Sequence, residues 1–152
     1  MFKIKEGTVF TDGTLDLEVV KNYSGAGEES LLPCYRCRLR LAGTDSKVGT
    51  ISLRLNTVRN DELYYDGNLG YYIREEFRGK GYAVNGCVLA AGLAKAEGMT
   101  ELVICCDVEN TLSINVIKKL GATFSEVIEV PEDYRDDHDT SGKRNRYIWS
   151  LP

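Results

Sequence analysis

The chain has one histidine, one tryptophan and three prolines, and nowhere a run of about 18 uninterrupted apolar residues. Each shortage excludes something. The histidine, His138, lies in the acidic stretch PEDYRDDHDTSGK and reads as a solvated loop residue. A triad built on histidine, or a zinc site needing several imidazoles, is therefore excluded, and no metal is expected. Without a long apolar run there is no membrane-spanning helix. The N-terminus, MFKIKEGTVFTDG, carries lysines among its first residues and no apolar core, so it does not read as a secretory signal. A cytoplasmic location and no membrane partner are the expectation, and Asn22-Tyr23-Ser24 is then a chance match to a glycosylation acceptor. There is no basic surplus: the formal net charge is −4, which argues against a nucleic-acid partner. The five cysteines are an odd number in a chain with no export signal, so reduced thiols are expected. Cys34 and Cys37 form one CxxC with no second pair. They lie in CYRCRLRL, whose alternation is that of a strand and sends the two thiols to opposite faces.

What is present is a chain of 152 residues, 43% hydrophobic and 28% charged. That suits a single domain over 1–152 with a substantial core. TVFTDGTL reads as a hairpin turning at Asp12-Gly13, with LDLEVV continuing its second strand. NYSGAGEESLLP is loop-like. Strands follow near 34–42 and 47–55, then, after TVRNDE, another over 63–74, where Gly67 and Gly70 suggest a bulge or a close backbone approach. Residues 80–97 read as a helix, with Val84, Cys87, Val88, Ala91 and Ala94 at helical spacing. TELVICC (100–106) is a buried strand. A second helix begins after Asn110, an N-cap residue, buries Leu112, Val116, Ile117 and Leu120, and ends at Gly121. TFSEVIEV and RNRYIWSL are the last strands, joined by the long acidic loop. The predicted fold is α/β or α+β, a mixed sheet with helices against it.

Where the first helix begins stands Arg78-Gly79-Lys80-Gly81-Tyr82-Ala83. Glycines and positive charge at a helix N-terminus suit a phosphate. A Walker A loop fails, because Lys80 is followed by Gly81 and not by Ser or Thr. A Rossmann fingerprint fails, because Val84 takes the third glycine's place and several antiparallel-looking strands come first. A coenzyme A pyrophosphate remains, held on successive backbone N–H groups with Arg78 and Lys80 beside it.

This segment and NTLSINVIKKLGA, Asn110 to Ala122, some thirty residues on, together resemble the GNAT family of N-acetyltransferases. RGKGYA matches the family's acetyl-CoA signature, [Q/R]-x-x-G-x-[G/A]. The second segment matches its N-x-x-[A/S] helix motif. The resemblance covers about 34–150 and implies a GNAT-like, mostly antiparallel sheet flanked by helices, with acetyl-CoA as co-substrate. It implies direct transfer of the acetyl group to a primary amine, on a small molecule or a protein N-terminus, and a homodimer by analogy with relatives. By resemblance, the backbone of Tyr71, Tyr72 and Ile73 runs beside the pantetheine. Arg78, Gly79, Lys80, Gly81, Tyr82 and Ala83 hold the pyrophosphate, and Asn110 caps the second helix and touches the pantetheine arm.

Two departures are visible. The tyrosine that many members use to protonate the thiolate is replaced by Ile117, which leaves Ser113 as the candidate proton donor. The position that carries a base in some members is Cys105. The local candidates are then Asn68, which could hold a water, and Glu109, the nearest carboxylate in sequence. The arginines 36, 38 and 40, with Arg54, Arg74, Arg144 and Arg146, read as a solvated sheet face or as an anion-attracting cluster. Of the pairs Tyr64-Tyr65 and Tyr71-Tyr72, one member each is expected to face a cleft. The acceptor pocket is expected from residues ~10–33 and ~131–143. Two other readings remain: a CoA-binding module of the same fold without turnover, and an unrelated nucleotide-binding domain.

Overall fold

The computed structural model describes residues 2–25, 32–55, 61–137 and 139–152. His138 and parts of the NYSGAGEESLLP and TVRNDE segments lie outside the described residues. Five strands, β1 (Val9–Thr11), β2 (Leu15–Tyr23), β3 (Cys34–Leu41), β4 (Lys47–Arg54) and β5 (Leu69–Ile73), form one antiparallel sheet in chain order. Three more, β6 (Glu101–Asp107), β7 (Thr123–Glu129) and β8 (Lys143–Ser150), form a second antiparallel sheet in the order β6-β8-β7. The helices are α1 (Asp61–Asp66), α2 (Tyr82–Ala96) and α3 (Thr111–Leu120). This is the expected mixed α+β layering of helices on mostly antiparallel strands.

The hairpin at Asp12-Gly13 forms as its sequence directs. The Asp12 carboxylate accepts from the N–H groups of Thr14 and Leu15, at 2.8 and 2.7 Å, an Asx-type turn. Alternation along β2 and β3 buries Leu15, Leu17, Val19, Cys37 and Leu39. Cys34 is buried too. The helix α2 packs on β2, β4 and β5, and its small residues set the distance. A Cβ on Gly86 would lie 2.6 Å from Leu39 Cδ1 and 3.0 Å from Ile51 Cδ1, so any larger residue there would force those two core side chains to shift. The buried stripe is Gly86, Cys87, Ala90, Ala91, Leu93 and Ala94. Val88, expected in it, is 47% exposed. In a helix this rich in alanine, apolarity alone does not mark the face. In α3 likewise Ile117 is fully buried, whereas Leu112 is 69% exposed.

The strand expected over 63–74 is two elements. Leu63–Asp66 belongs to α1, and the chain enters β5 only after Gly67. Aromatic residues favoured in strands masked a helix of under two turns that Gly67 ends, with φ +73°. The close approach expected of Gly67 is present: it bridges Ile104, and a Cβ there would lie 2.6 Å from the Val103 carbonyl oxygen.

Candidate active site

That bridge is where the two sheets meet. Asn68 sits beside it, 1% exposed. Its N–H donates to Val103 O at 2.8 Å, its Oδ1 accepts from Val103 N–H at 2.8 Å, and its Nδ2 donates to Arg54 O at 3.1 Å. Asn68 is therefore a staple between β4 and β6. Its amide serves backbone groups that burial would otherwise leave unpaired, a structural task beside the water-holding role expected of it.

Past this joint β5 and β6 pair in no common ladder, and a cleft of about 280 Å3 opens between them. One wall is Leu69, Gly70 and Tyr71. The other is Cys105, Cys106 and Asp107, with Asn110 and Ser113 at the start of α3. The edge of β5 that faces this opening can be read from its hydrogen bonds. Tyr72 O lies against Gly49 of β4, and Arg74 N–H donates to Val48 O at 2.8 Å. By the two-residue alternation of a strand, the N–H groups of Tyr71 and Ile73 turn to the other, unpaired edge. Ile73 O on that edge accepts from Arg78 Nε at 3.0 Å. The Arg78 guanidinium also stands over the exposed Tyr72 ring, 5.7 Å from its centroid.

Gly79 and Gly81 both adopt positive φ, +80° and +78°. Gly81 is the N-cap of α2, and no side chain caps this end. The first-turn N–H groups of a helix have no intrahelical partner. A Cβ at Gly79 or Gly81 would meet nothing within 4 Å, so the turn is open to something outside the protein. Lys80 is exposed beside it, and Tyr82 and Ala83 form the first turn.

On the α3 side, Asn110 caps the helix as expected: its Oδ1 accepts from Ser113 N–H at 3.1 Å. The Ser113 hydroxyl lies 2.9 Å from the Tyr71 hydroxyl on the opposite wall. Burial pushes the Tyr71 phenol well above its ordinary value, outweighing the Ser113 hydrogen bond. Ile117 points into the core. The Cys105 thiol lines the cleft and burial pushes it up to about 11, against the pull of Arg146 and Arg144, so it is neutral and no base. Glu109 is exposed, accepts from the Thr140 hydroxyl at 3.1 Å, and is not among the residues lining the cleft.

Sequence reasoning missed Asp107, and it read Arg144 only as one of a group of arginines, without its network. Asp107 is buried at the end of β6. Burial alone would raise its carboxyl; the N–H groups of Glu109 and Ser141 and the Ser141 hydroxyl, at 2.8, 3.1 and 3.0 Å, outweigh it and hold it below the ordinary carboxylate range. Arg144, paired in register with Asp107, is 5% exposed. It donates to Asp66 Oδ1 and Tyr65 O at 2.6 Å and to both oxygens of Asp139. Burial would raise the Asp139 carboxyl, but the Arg144 hydrogen bonds hold it low. Arg144 thus ties the acidic loop to α1, where Tyr65 packs on Tyr134 at 4.8 Å. Asp136 and Asp139 carry that loop into the cleft. None of the described residues 10–25 lines it; β2 lies three strands away from β5. Of the arginines on the β3 face, Arg38 and Arg40 pair with Glu18 at 3.8 and 3.5 Å. Of the tyrosine pairs, Tyr71 lines the cleft and neither Tyr64 nor Tyr65 does.

The family model of the acetyltransferase (GNAT) domain matches residues 14–123. The chain belongs to the GNAT acetyltransferase family. Members of this family move an acetyl group from acetyl-CoA to an amine. Among solved structures, the fold is similar to a ribosomal L7/L12 alpha-N-protein acetyltransferase, RimL, in complex with coenzyme A, at TM-score 0.59 and 18% identity over 78% of this chain. The chain spans 62% of that protein's length. It is also similar, at TM-score 0.68 and 14% identity, to a putative ribosomal-protein-serine acetyltransferase from Vibrio cholerae, over 97% of this chain and 99% of the other. A ribosomal-protein-S5-alanine acetyltransferase from Vibrio fischeri aligns over 94% and 96% of the two chains, at TM-score 0.68 and 14% identity. No curated protein sequence matches the chain significantly. Among the described residues, no helix is long and apolar enough to cross a membrane, and no group of three or more His, Cys, Asp or Glu could hold a metal.

Proposed function

We propose that this GNAT protein is an acetyl-CoA-dependent N-acetyltransferase acting on a primary amine, either a small molecule or a peptide N-terminus. The observation that carries it is the uncapped, left-handed Gly79–Gly81 turn at the start of α2, next to a strand edge that opens from its neighbour. The chain's residues fit the coenzyme in kind. N–H groups of Gly79 to Ala83 suit a pyrophosphate, with Arg78 and Lys80 adding charge. The free-edge N–H groups of Tyr71 and Ile73 suit the amide-bearing pantetheine and the thioester oxygen, which gains negative charge in the transition state.

The acceptor must reach the thioester as a neutral amine. Four carboxylates, Asp66, Asp107, Asp136 and Asp139, line the cleft against two guanidiniums, Arg54 and Arg144. That balance favours approach of an ammonium group. Among the proteins of similar fold, one modifies the N-terminal serine of ribosomal protein L7/L12 and another is a ribosomal-protein-S5-alanine acetyltransferase, which supports peptide N-termini as the first class to test. Asn68 is stapled, Glu109 lies outside the lining, Cys105 is neutral, Asp66, Asp136 and Asp139 pair with Arg144, and Asp107 is held by Ser141 and the Glu109 N–H, so the proton passes to water in the cleft. This missing base favours one second reading: a protein of the same fold that holds acetyl-CoA without turnover.

Thermal melts with CoA, acetyl-CoA, NADH and ATP in parallel test the coenzyme, because a ligand of the folded state raises apparent stability by mass action. Stabilisation by the two CoA species alone is expected. A response to NADH or ATP and none to CoA would sink the proposal. Thiol release from acetyl-CoA with peptides beginning in Ser or Ala, and with small diamines, then separates transfer from mere holding.

A further inference from the structure

The α3 position at which the family resemblance calls for a tyrosine holds Ile117, buried in the core. A tyrosine hydroxyl nevertheless stands in the cleft, delivered from the opposite wall by β5. We propose that Tyr71 is a positioning residue: its phenol donates to Ser113 Oγ and so aims the Ser113 hydroxyl hydrogen at the sulfur of the bound coenzyme. This rests on the acetyltransferase reading and adds to it a residue with a defined job.

The two oxygens are 2.9 Å apart, from residues 42 apart in sequence, and both residues line the same cleft. The direction of the bond follows from chemistry. A phenol is a far better hydrogen-bond donor than an alkyl hydroxyl, so Tyr71 donates and Ser113 accepts. A hydroxyl has one hydrogen. With an Oγ lone pair taken by Tyr71, that hydrogen is free for the cleft, and the chain of two hydroxyls polarises the outer donor. Ser113 is held in the first turn of α3, its N–H taken by Asn110, where the helix dipole also favours an anion.

The groups facing the Tyr71 hydroxyl do not compete. Cys87 from α2, Cys106 from β6 and Tyr147 from β8 act on it electrostatically, and burial raises each of them, so all are neutral at working pH. Asp107, also on β6, is ionised, but its oxygens are held by Glu109 and Ser141. Tyr71 itself, raised by burial, keeps its proton throughout. It orients a hydrogen bond to the departing thiolate and transfers nothing; the thiolate is reprotonated from solvent.

The test needs no acceptor. CoA is bound to the protein and its thiol titrated by thiolate absorbance, with the acetyl-CoA complex, which has no free thiol, as blank. In the unaltered protein the bound thiol should titrate about one pH unit lower than in Tyr71→Phe or Ser113→Ala, a tenfold difference in acidity. Ser113→Thr, which keeps the hydroxyl, should restore most of it. If Tyr71→Phe does not fold, fluorotyrosine at position 71 replaces it: a stronger donor with nearly the same packing, which should lower the thiol's titration further. A bound thiol that titrates alike with and without the Tyr71 hydroxyl, or with fluorotyrosine in its place, overturns the proposal. No binding of CoA by the unaltered protein overturns the coenzyme reading first, before any variant is compared.

Discussion

The cleft has two sides built on different principles. The side proposed for the coenzyme is backbone: the free edge of β5 along the cleft and, beyond the cleft's lining, the two left-handed glycines at the N-terminus of α2. The side proposed for the acceptor is side chains: Arg144 from β8, Asp66 from α1, and Asp136 and Asp139 from the acidic loop, brought together across as many as 78 positions of sequence. A site made of backbone constrains residue type locally, because only glycine takes φ near +80° cheaply. A site made of distant ion pairs leaves no local pattern. The same division predicts what substitutions do: on one side they alter binding with little change in the fold, on the other they alter the fold first.

The largest effect is expected at Arg144. Arg144→Leu strips a buried guanidinium from Asp139 and Asp66 and leaves Asp139 only the Asp136 N–H, at 2.9 Å. Breaking a buried pair in this way costs ~3–5 kcal/mol, measured as the loss in urea-unfolding free energy at pH 7. Asp139 sharpens the test. Its carboxyl is held below its ordinary 3.8 in the folded state, so its contribution is fully present above 3.8 and is lost as pH falls through the lower folded value. Asp139→Asn should therefore lower stability at pH 7 and leave a smaller further loss on acidification than the unaltered protein shows. If Arg144→Leu instead unfolds normally but loses CoA binding, the division into two sides is wrong.

Gly81 comes next and tests the opposite side. Gly81→Val forces a β-branched residue into the left-handed region, at ~1–2 kcal/mol, though its Cβ would meet no atom of the protein within 4 Å. The loss in unfolding free energy should stay near that figure. CoA affinity, by calorimetry, should fall further, by tenfold or more, because the side chain stands where the backbone N–H groups must meet a phosphate. Equal losses in both would mean that the turn is structural and takes no ligand.

What could be read from the sequence follows the same line. RGKGYA and the Asn110–Gly121 helix were legible because capping and positive φ are local requirements, and both lie where expected. Gly67 was legible as a close approach, but not that the residues before it are helical, because the paired tyrosines have the aromatic character of a strand. Asn68 read as a polar residue at the cleft; that it staples β4 to β6 depends on Val103 and Arg54 arriving there. Tyr71 was expected to contribute backbone, and its hydroxyl meets Ser113 only once β5 and α3 face each other. Asp107 carried a weak local signal, a strand-final aspartate before a turn. Arg144 carried none, being one arginine among several on alternating strands until Asp66 and Asp139 close around it.

The smallest expected effect lies at Asn110, where the two sides touch. Its Oδ1 caps α3, and its side chain lines the cleft, so one residue serves the fold and faces the ligand. Asn110→Ala removes the cap and should cost ~1 kcal/mol of stability. Asn110→Asp keeps the capping oxygen and favours the helix dipole, but it removes the amide hydrogens and adds a negative charge beside the pantetheine path. It should leave unfolding free energy unchanged or slightly raised while weakening CoA several-fold. Stability measured by urea and affinity by calorimetry, on the same two variants, then separate the roles. If Asn110→Asp binds CoA as the unaltered protein does, the amide is a cap only, and the coenzyme side of the cleft is backbone alone from Tyr71 to the first turn of α3.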